Sequence, residues 1–159
     1  MNTSQDNALR ASTRRRFGLA LLILRVALGV FLLVFGLEKF IAPSTSVAIY
    51  QYLYGVSAPV ALVYALGALE ILLAIAIIVG AFRRWSYAIG LLAHGATVMA
   101  TARLIIDPWG LISGEPQHLY LAAVPVLAAF AALYLLRDLD CFSLDQWRAS
   151  SSSRVPARA

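Results

Sequence analysis

Three side chains that lipid would exclude, Arg25, Glu70 and His94, each stand inside a long apolar run. A charge at the centre of a bilayer costs about 2.5–3.5 kcal/mol on insertion scales, so such groups turn to the interior of a helix bundle and find partners. Measured at about 1.5 Å per residue from the arginine-rich end of each run, Arg25 lies roughly 12 Å in, Glu70 roughly 15 Å and His94 roughly 13–14 Å. The expectation is one buried layer holding a cation, an anion and an imidazole. Such a layer can hydrogen-bond a polar ligand or relay protons, because imidazole titrates near neutrality. It can equally be structural, with Arg25 and Glu70 paired to fix helix register and His94 hydrogen-bonded as a packing residue. Helical periodicity supports inward-facing stripes: Arg25, Gly29, Leu32, Gly36 and Lys39; Val63, Gly67, Glu70 and Ala74; Gly90, His94, Thr97 and Thr101. Small residues beside polar ones suit close packing of helices in lipid. A second, outer polar layer is expected from Glu38, Lys39 and Arg103, near Asp107, Glu115 and His118. Arg103 falls off the His94 stripe, so that layer also reads as a set of interface anchors with a snorkelling arginine.

The elements that must hold these residues follow from composition. The chain has 159 residues, 61% hydrophobic and 13% charged, against about 45–50% and about 25% in a typical soluble domain. So short a soluble chain could not bury that much apolar surface, and disorder goes with the opposite composition. Four apolar runs, roughly 17–40, 58–80, 85–106 and 118–136, each approach the ~20 residues that cross the hydrocarbon as a helix. The fold expected is all-α: a polytopic bundle of four transmembrane helices. Its basic N-terminal segment is 1–16, its membrane domain 17–147, and its tail, expected to be disordered, 148–159. Pro125 is expected to kink the fourth helix and free a carbonyl.

Charge sets the orientation. Ten of the thirteen basic residues are Arg10, Arg14, Arg15 and Arg16, then Arg83 and Arg84, then Arg137, Arg148, Arg154 and Arg158, whereas connections 41–57 and 107–117 carry none. The positive-inside rule places both termini in the cytoplasm. The net charge of +5 is then an orientation signal, and no nucleic-acid partner is expected. Trp85, Trp109 and Trp147 fall at span ends, where aromatic rings favour headgroup depth. Segment 44–57, with Tyr50, Tyr52 and Tyr54, reads either as a short interfacial helix or as an extended stretch. Arg25 interrupts the first run and no clean small-x-small site follows, so that run reads as a retained span and not a cleaved signal peptide. One cysteine, Cys141, excludes an internal disulfide and a multi-cysteine metal site; with only His94 and His118 besides, no metal centre is expected.

These residues resemble a known family. The pattern Arg25-x3-Gly29-x6-Gly36-x2-Lys39, then Glu70, then Gly80 before Arg83-Arg84, and finally Phe142-Ser143-Leu144-Asp145, is similar to the DoxX family over roughly residues 19–147. Leu139-Asp140-Cys141 stands where the family tail usually has glycines. The resemblance implies a four-helix protein of the prokaryotic inner (plasma) membrane, with kinship to the small membrane subunit of thiosulfate:quinone oxidoreductase and to membrane partners of redox-stress proteins. It implies no catalytic residues. The leading expectation is a membrane component of a quinone-linked redox system, with a bound quinone and with a protein partner or homo-oligomer. No flavin, haem or iron–sulfur motif is present, so electrons would come from a bound cofactor or a partner. The alternatives are a non-enzymatic scaffold or assembly subunit, and a small oligomeric transporter or proton pathway, which the lack of an internal repeat disfavours.

Overall fold

The computed structural model describes residues 3–152, and the outer parts of the expected basic segment and tail, residues 1–2 and 153–159, lie outside the described residues. The described residues form helices and no strand: α1 (Thr3–Ile41), α2 (Pro43–Tyr54), α3 (Val60–Val79), α4 (Arg83–Ala100), α5 (Ala102–Ile106), α6 (Ala123–Leu135) and α7 (Leu144–Ser152). Short 3₁₀ turns cover His118–Ala122 and Arg137–Leu139. Residues 148–152 of the expected disordered tail therefore continue α7, and the basic N-terminal segment from Thr3 onward continues α1 as helix.

Among the described residues, three stretches are long and apolar enough to cross a membrane: Asp6–Ile41, Val60–Val79 and His118–Leu135. The third expected run, 85–106, is broken. The Thr101 amide and hydroxyl both turn back to the Thr97 carbonyl, each at 2.9 Å, and the chain restarts as α5. The last run changes from 3₁₀ to α-helix at Ala123, which puts Pro125 in the first turn of α6, where its missing N–H costs least. Segment 43–54 is helix and not an extended stretch. Pro43 sits in its first turn, and Gly55 closes it in a left-handed conformation.

α1 packs chiefly on α3, α4 chiefly on α6, and α1 also touches α6. The shared core joins Leu21, Leu28 and Leu32 of α1 to Ala74, Ile77, Tyr87, Phe130 and Leu133. Large apolar side chains such as Ile23, Leu69, Leu72 and Leu92 point outward, the surface expected when the solvent is lipid and not water. The register of α1 against α3 is set where the backbones come closest. A Cβ on Gly36 would lie 2.8 Å from Ile71, a Cβ on Gly67 would lie 2.9 Å from the Lys39 side chain, and Gly29 abuts Ile78. Residue numbers on the two antiparallel helices thus sum to about 105, which puts Arg25 level with Gly80 and Glu70 level with Phe35.

Beyond α5 the chain turns at Asp107. Its carboxylate accepts hydrogen bonds from the backbone N–H groups of Leu111 (2.7 Å), Ile112 (2.9 Å) and Ser113 (2.7 Å) and from the Ser113 hydroxyl (3.0 Å). These donors, the Ser113 N–H foremost, stabilise the ionised form and hold the Asp107 carboxyl below its ordinary value of 3.8. A carboxyl depressed in the fold contributes stability that is present above its unfolded value and is lost as pH falls through the folded one. Amide exchange at Ile112 and Ser113, expressed as protection over the intrinsic rate at each pH, is expected to weaken on acidification below about pH 4. It is expected to be weak at neutral pH already in Asp107→Ala.

Candidate functional site

The polar side chains expected in one layer form two groups at different levels. Arg25, 3% exposed, reaches the segment between α6 and α7: its Nη2 donates to the Phe142 carbonyl at 2.7 Å, and its Nη1 lies 3.7 Å from Oδ2 of the fully buried Asp140. The Tyr87 hydroxyl donates to the same Oδ2 at 2.7 Å. The turn between α3 and α4 is held by the tail. Asp145 accepts from the Phe82 N–H (3.0 Å) and the Arg83 N–H (2.8 Å) at the start of α4. Arg83 in turn donates to the Arg137 and Asp140 carbonyls at 2.8 and 3.0 Å. Asp145 so caps a helix remote in sequence, at its positive dipole end, and residues 137–145 close one end of the bundle over α1.

The second group is fourteen residues further along α1, about 21 Å away along the helix axis. Lys39 Nζ donates to Glu70 Oε2 at 2.6 Å and to the Phe35 carbonyl at 3.2 Å. This pair lines a cavity of about 470 Å³ enclosed by α1, α2, α3, α4 and the start of α6. Its walls are aromatic and aliphatic, among them Phe31, Phe35, Tyr50, Leu53 and Val126, with Glu38 and Ser46 also in the lining and His94, Thr97 and Thr101 along α4 and its C-terminal cap. His94 is buried between the rings of Phe31 and Phe130, and its Nε2 lies 3.0 Å from the Ala123 carbonyl. Burial pushes the Tyr50 phenol above its ordinary 10, against the opposing pull of Lys39, so it stays a neutral hydroxyl.

Of the expected inner layer, Glu70, His94, Thr97 and Thr101 share the cavity and Arg25 does not. The Arg25–Glu70 pairing is therefore corrected to Arg25–Asp140 and Lys39–Glu70. The cause is register. The ends of the apolar runs mark where lipid begins, but close contact at Gly29, Gly36 and Gly67 sets which residues face each other. Of the expected outer layer, Glu38 and Lys39 line the cavity, whereas Arg103 is exposed on α5 and makes no ion pair with either among the described residues. Sequence reasoning missed Asp140, Tyr87 and Asp145. A buried arginine predicts some carboxylate partner, and Asp138, Asp140 and Asp145, just past the last run, were the signal for one outside the apolar runs. The described residues hold no cluster of three or more potential metal ligands.

Lipid-facing apolar helices around a cavity lined by a few polar groups define a small helical membrane protein. The sequence model of the DoxX family matches residues 20–106, more than half of the chain, and the chain belongs to the DoxX family. The matched region spans α1 from its apolar part through α5, and so includes Lys39, Glu70, His94, Thr97 and Thr101. No match was found among curated proteins or among solved structures.

Proposed function

We propose that this DoxX-family protein is a membrane component of a quinone-linked redox system, and that the cavity between α1, α2 and α4 receives the quinone head group. The observation that carries this reading is the composition of that cavity: a largely apolar space of about 470 Å³ with the Lys39–Glu70 pair on one wall and His94 on another. Binding sites for small ring compounds are apolar pockets of roughly 300–1,000 Å³ with a few placed polar groups. Lys39 Nζ has three hydrogens and two acceptors in the protein, which leaves one N–H for a ring carbonyl. Bound there, a quinone would supply the redox chemistry; the chain's own residues bind and orient the ring and exclude water. Electrons would arrive from a protein partner.

The reading includes a topology. The two arginines that begin α4 lower its apolar content, but its length and its packing along α6 suit a fourth span. With the arginine-rich N-terminal segment, the α3–α4 turn and the tail on one side, both termini would face the cytoplasm of a prokaryotic cell.

The test is ligand retention. Lipid extracts of protein purified in mild detergent are expected to contain quinone. Added decylbenzoquinone at about a hundred times its Kd is expected to stabilise the protein by roughly 2.7 kcal/mol, or about 5–10 °C in Tm for a chain of this size. The shift is expected to vanish in Ala93→Phe, which fills the cavity, and to shrink in Lys39→Met. No co-purified quinone and no shift in the wild type would sink the reading. The structure favours the scaffold alternative for one group only: Arg25 and Asp140 lie outside the cavity and hold the tail to α1.

A further inference from the structure

The polar atoms of the α4 wall differ from those of the α1 wall in one respect that chooses a ligand. Nε2 of His94 faces a carbonyl, which only accepts, so Nε2 carries the hydrogen. In the neutral ring Nδ1 is then a bare acceptor. Nδ1 has no partner among the described residues, yet it is not one of the enclosed orphan atoms, which belong to Arg25 and Asp140. Nδ1 is therefore the polar atom of His94 left for a partner outside the protein, and His94 lines the cavity. The two threonines below it are committed in the same sense. Thr97 donates its hydroxyl hydrogen to the Ala93 carbonyl at 3.3 Å, and Thr101 donates its own to the Thr97 carbonyl at 2.9 Å. A threonine hydroxyl has one hydrogen, so in these bonds Thr101, and more loosely Thr97, present oxygen lone pairs to the cavity. The polar atoms of the α4 wall present acceptors, and donors stand on other walls, Lys39 on α1 and the Tyr50 hydroxyl on α2.

We propose that His94 Nδ1 accepts a hydrogen bond from a hydroxyl of the bound ring, so that the cavity selects a hydroxyl-bearing aromatic ring over its dicarbonyl counterpart. This rests on the head-group reading above and sharpens it. A carbonyl placed against His94 meets the lone pair of Nδ1 and gains no hydrogen bond there. A hydroxyl placed there makes one hydrogen bond to Nδ1, while its own oxygen stays free to accept. The opposite end of the ring, near Lys39, takes either a carbonyl or a hydroxyl.

The test compares three probes that share one ring and one alkyl tail under anaerobic conditions: decylbenzohydroquinone, decylbenzoquinone and the dimethyl ether of the hydroquinone. In the wild type the hydroquinone is expected to bind about tenfold more tightly than the ether, the size of one hydrogen bond made in a desolvated site. It is expected to bind more tightly than the quinone as well. His94→Phe keeps a ring between Phe31 and Phe130 and removes the acceptor. In that variant the preference for hydroquinone over quinone and over the ether is expected to disappear, and a cooperative thermal melt in detergent checks that the variant is folded. With only two histidines in the chain, ¹⁵N-histidine spectra give a second readout: one Nδ1 resonance is expected to move with hydroquinone and to hold still with quinone. A hydroquinone preference that survives in His94→Phe, or equal binding of ether and hydroquinone, would overturn the inference and leave the head-group reading standing. Binding of none of the three would overturn both.

Discussion

Asp140→Ala is expected to destabilise the protein by about 3–5 kcal/mol, the usual consequence of removing one member of a buried ion pair. Asp140 is fully enclosed and Arg25 nearly so, and no other carboxylate pairs with that guanidinium among the described residues. After the substitution Arg25 keeps one good hydrogen bond, to the Phe142 carbonyl. Its charge then stays in a site without an anion, and the Tyr87 hydroxyl loses its acceptor as well. Two further variants separate these effects. Asp140→Asn keeps an oxygen for Tyr87 and removes the charge, so it is expected to recover only the tyrosine's share, about 1–3 kcal/mol. Arg25→Met combined with Asp140→Leu removes both charges together and is expected to lie close to the wild type, because a buried pair replaced by apolar side chains of similar size is often neutral or stabilising. Thermal melting in detergent checks all three, with a Tm loss of roughly 6–20 °C for Asp140→Ala. If the double variant is as unstable as Asp140→Ala, the loss comes from packing in the tail and not from a stranded charge. Cavity ligands are expected to bind folded Asp140→Asn normally, since the two polar groups are far apart on α1.

The contrast between these groups shows what the sequence disclosed. Composition and the apolar runs were enough for an all-helical protein with lipid-facing surfaces, because they depend only on residue type summed over ~20 positions. The stripes were legible too: Glu70, His94, Thr97 and Thr101 were read as inward-facing and all line one cavity. The pairing was not legible. A helix slid by two turns along its neighbour keeps every stripe and changes every partner, and the register here depends on where three glycines allow backbones to touch. The break at Thr101 was hidden for a related reason. A threonine reads as helical by its neighbours, and only its double return to the Thr97 carbonyl marks the end of α4. The carboxylate of Asp140 was out of reach because it lies past the last apolar run, in a tail whose route back to Gly18 and Arg25 no periodicity records.

Gly80→Ala is expected to cost about as much as losing Asp140, and by a different route. Gly80 ends α3 in the left-handed region, at φ 69° and ψ 42°, where an L-residue with a Cβ pays roughly 1–2 kcal/mol. The same Cβ would run into the Arg25 guanidinium and lie 2.6 Å from the Ser143 Cβ. Neither neighbour has room to give. Arg25 is fixed by Phe142 and Asp140, and Ser143 is buried with its hydroxyl on the Asp140 carbonyl at 3.0 Å. Overpacking of this kind adds about 1–3 kcal/mol, for a total of roughly 2–5 kcal/mol. Gly55 supplies an internal comparison. It ends α2 at a nearly identical φ of 67°, but a Cβ there meets nothing within 4 Å. Gly55→Ala is therefore expected to cost only the backbone part, about 1–2 kcal/mol. The difference between the two variants in thermal melting measures the contact between the α3–α4 turn, the tail and Arg25. A double-mutant cycle completes the argument: with Arg25→Ala already in place, one of the two collision partners is gone, and Gly80→Ala is expected to add its backbone cost and the Ser143 overlap but not the share due to the guanidinium. Equal losses for Gly80→Ala and Gly55→Ala in the wild-type background would show that the guanidinium and Ser143 are both free to move aside, and that the buried end of the bundle is looser than its hydrogen bonds imply.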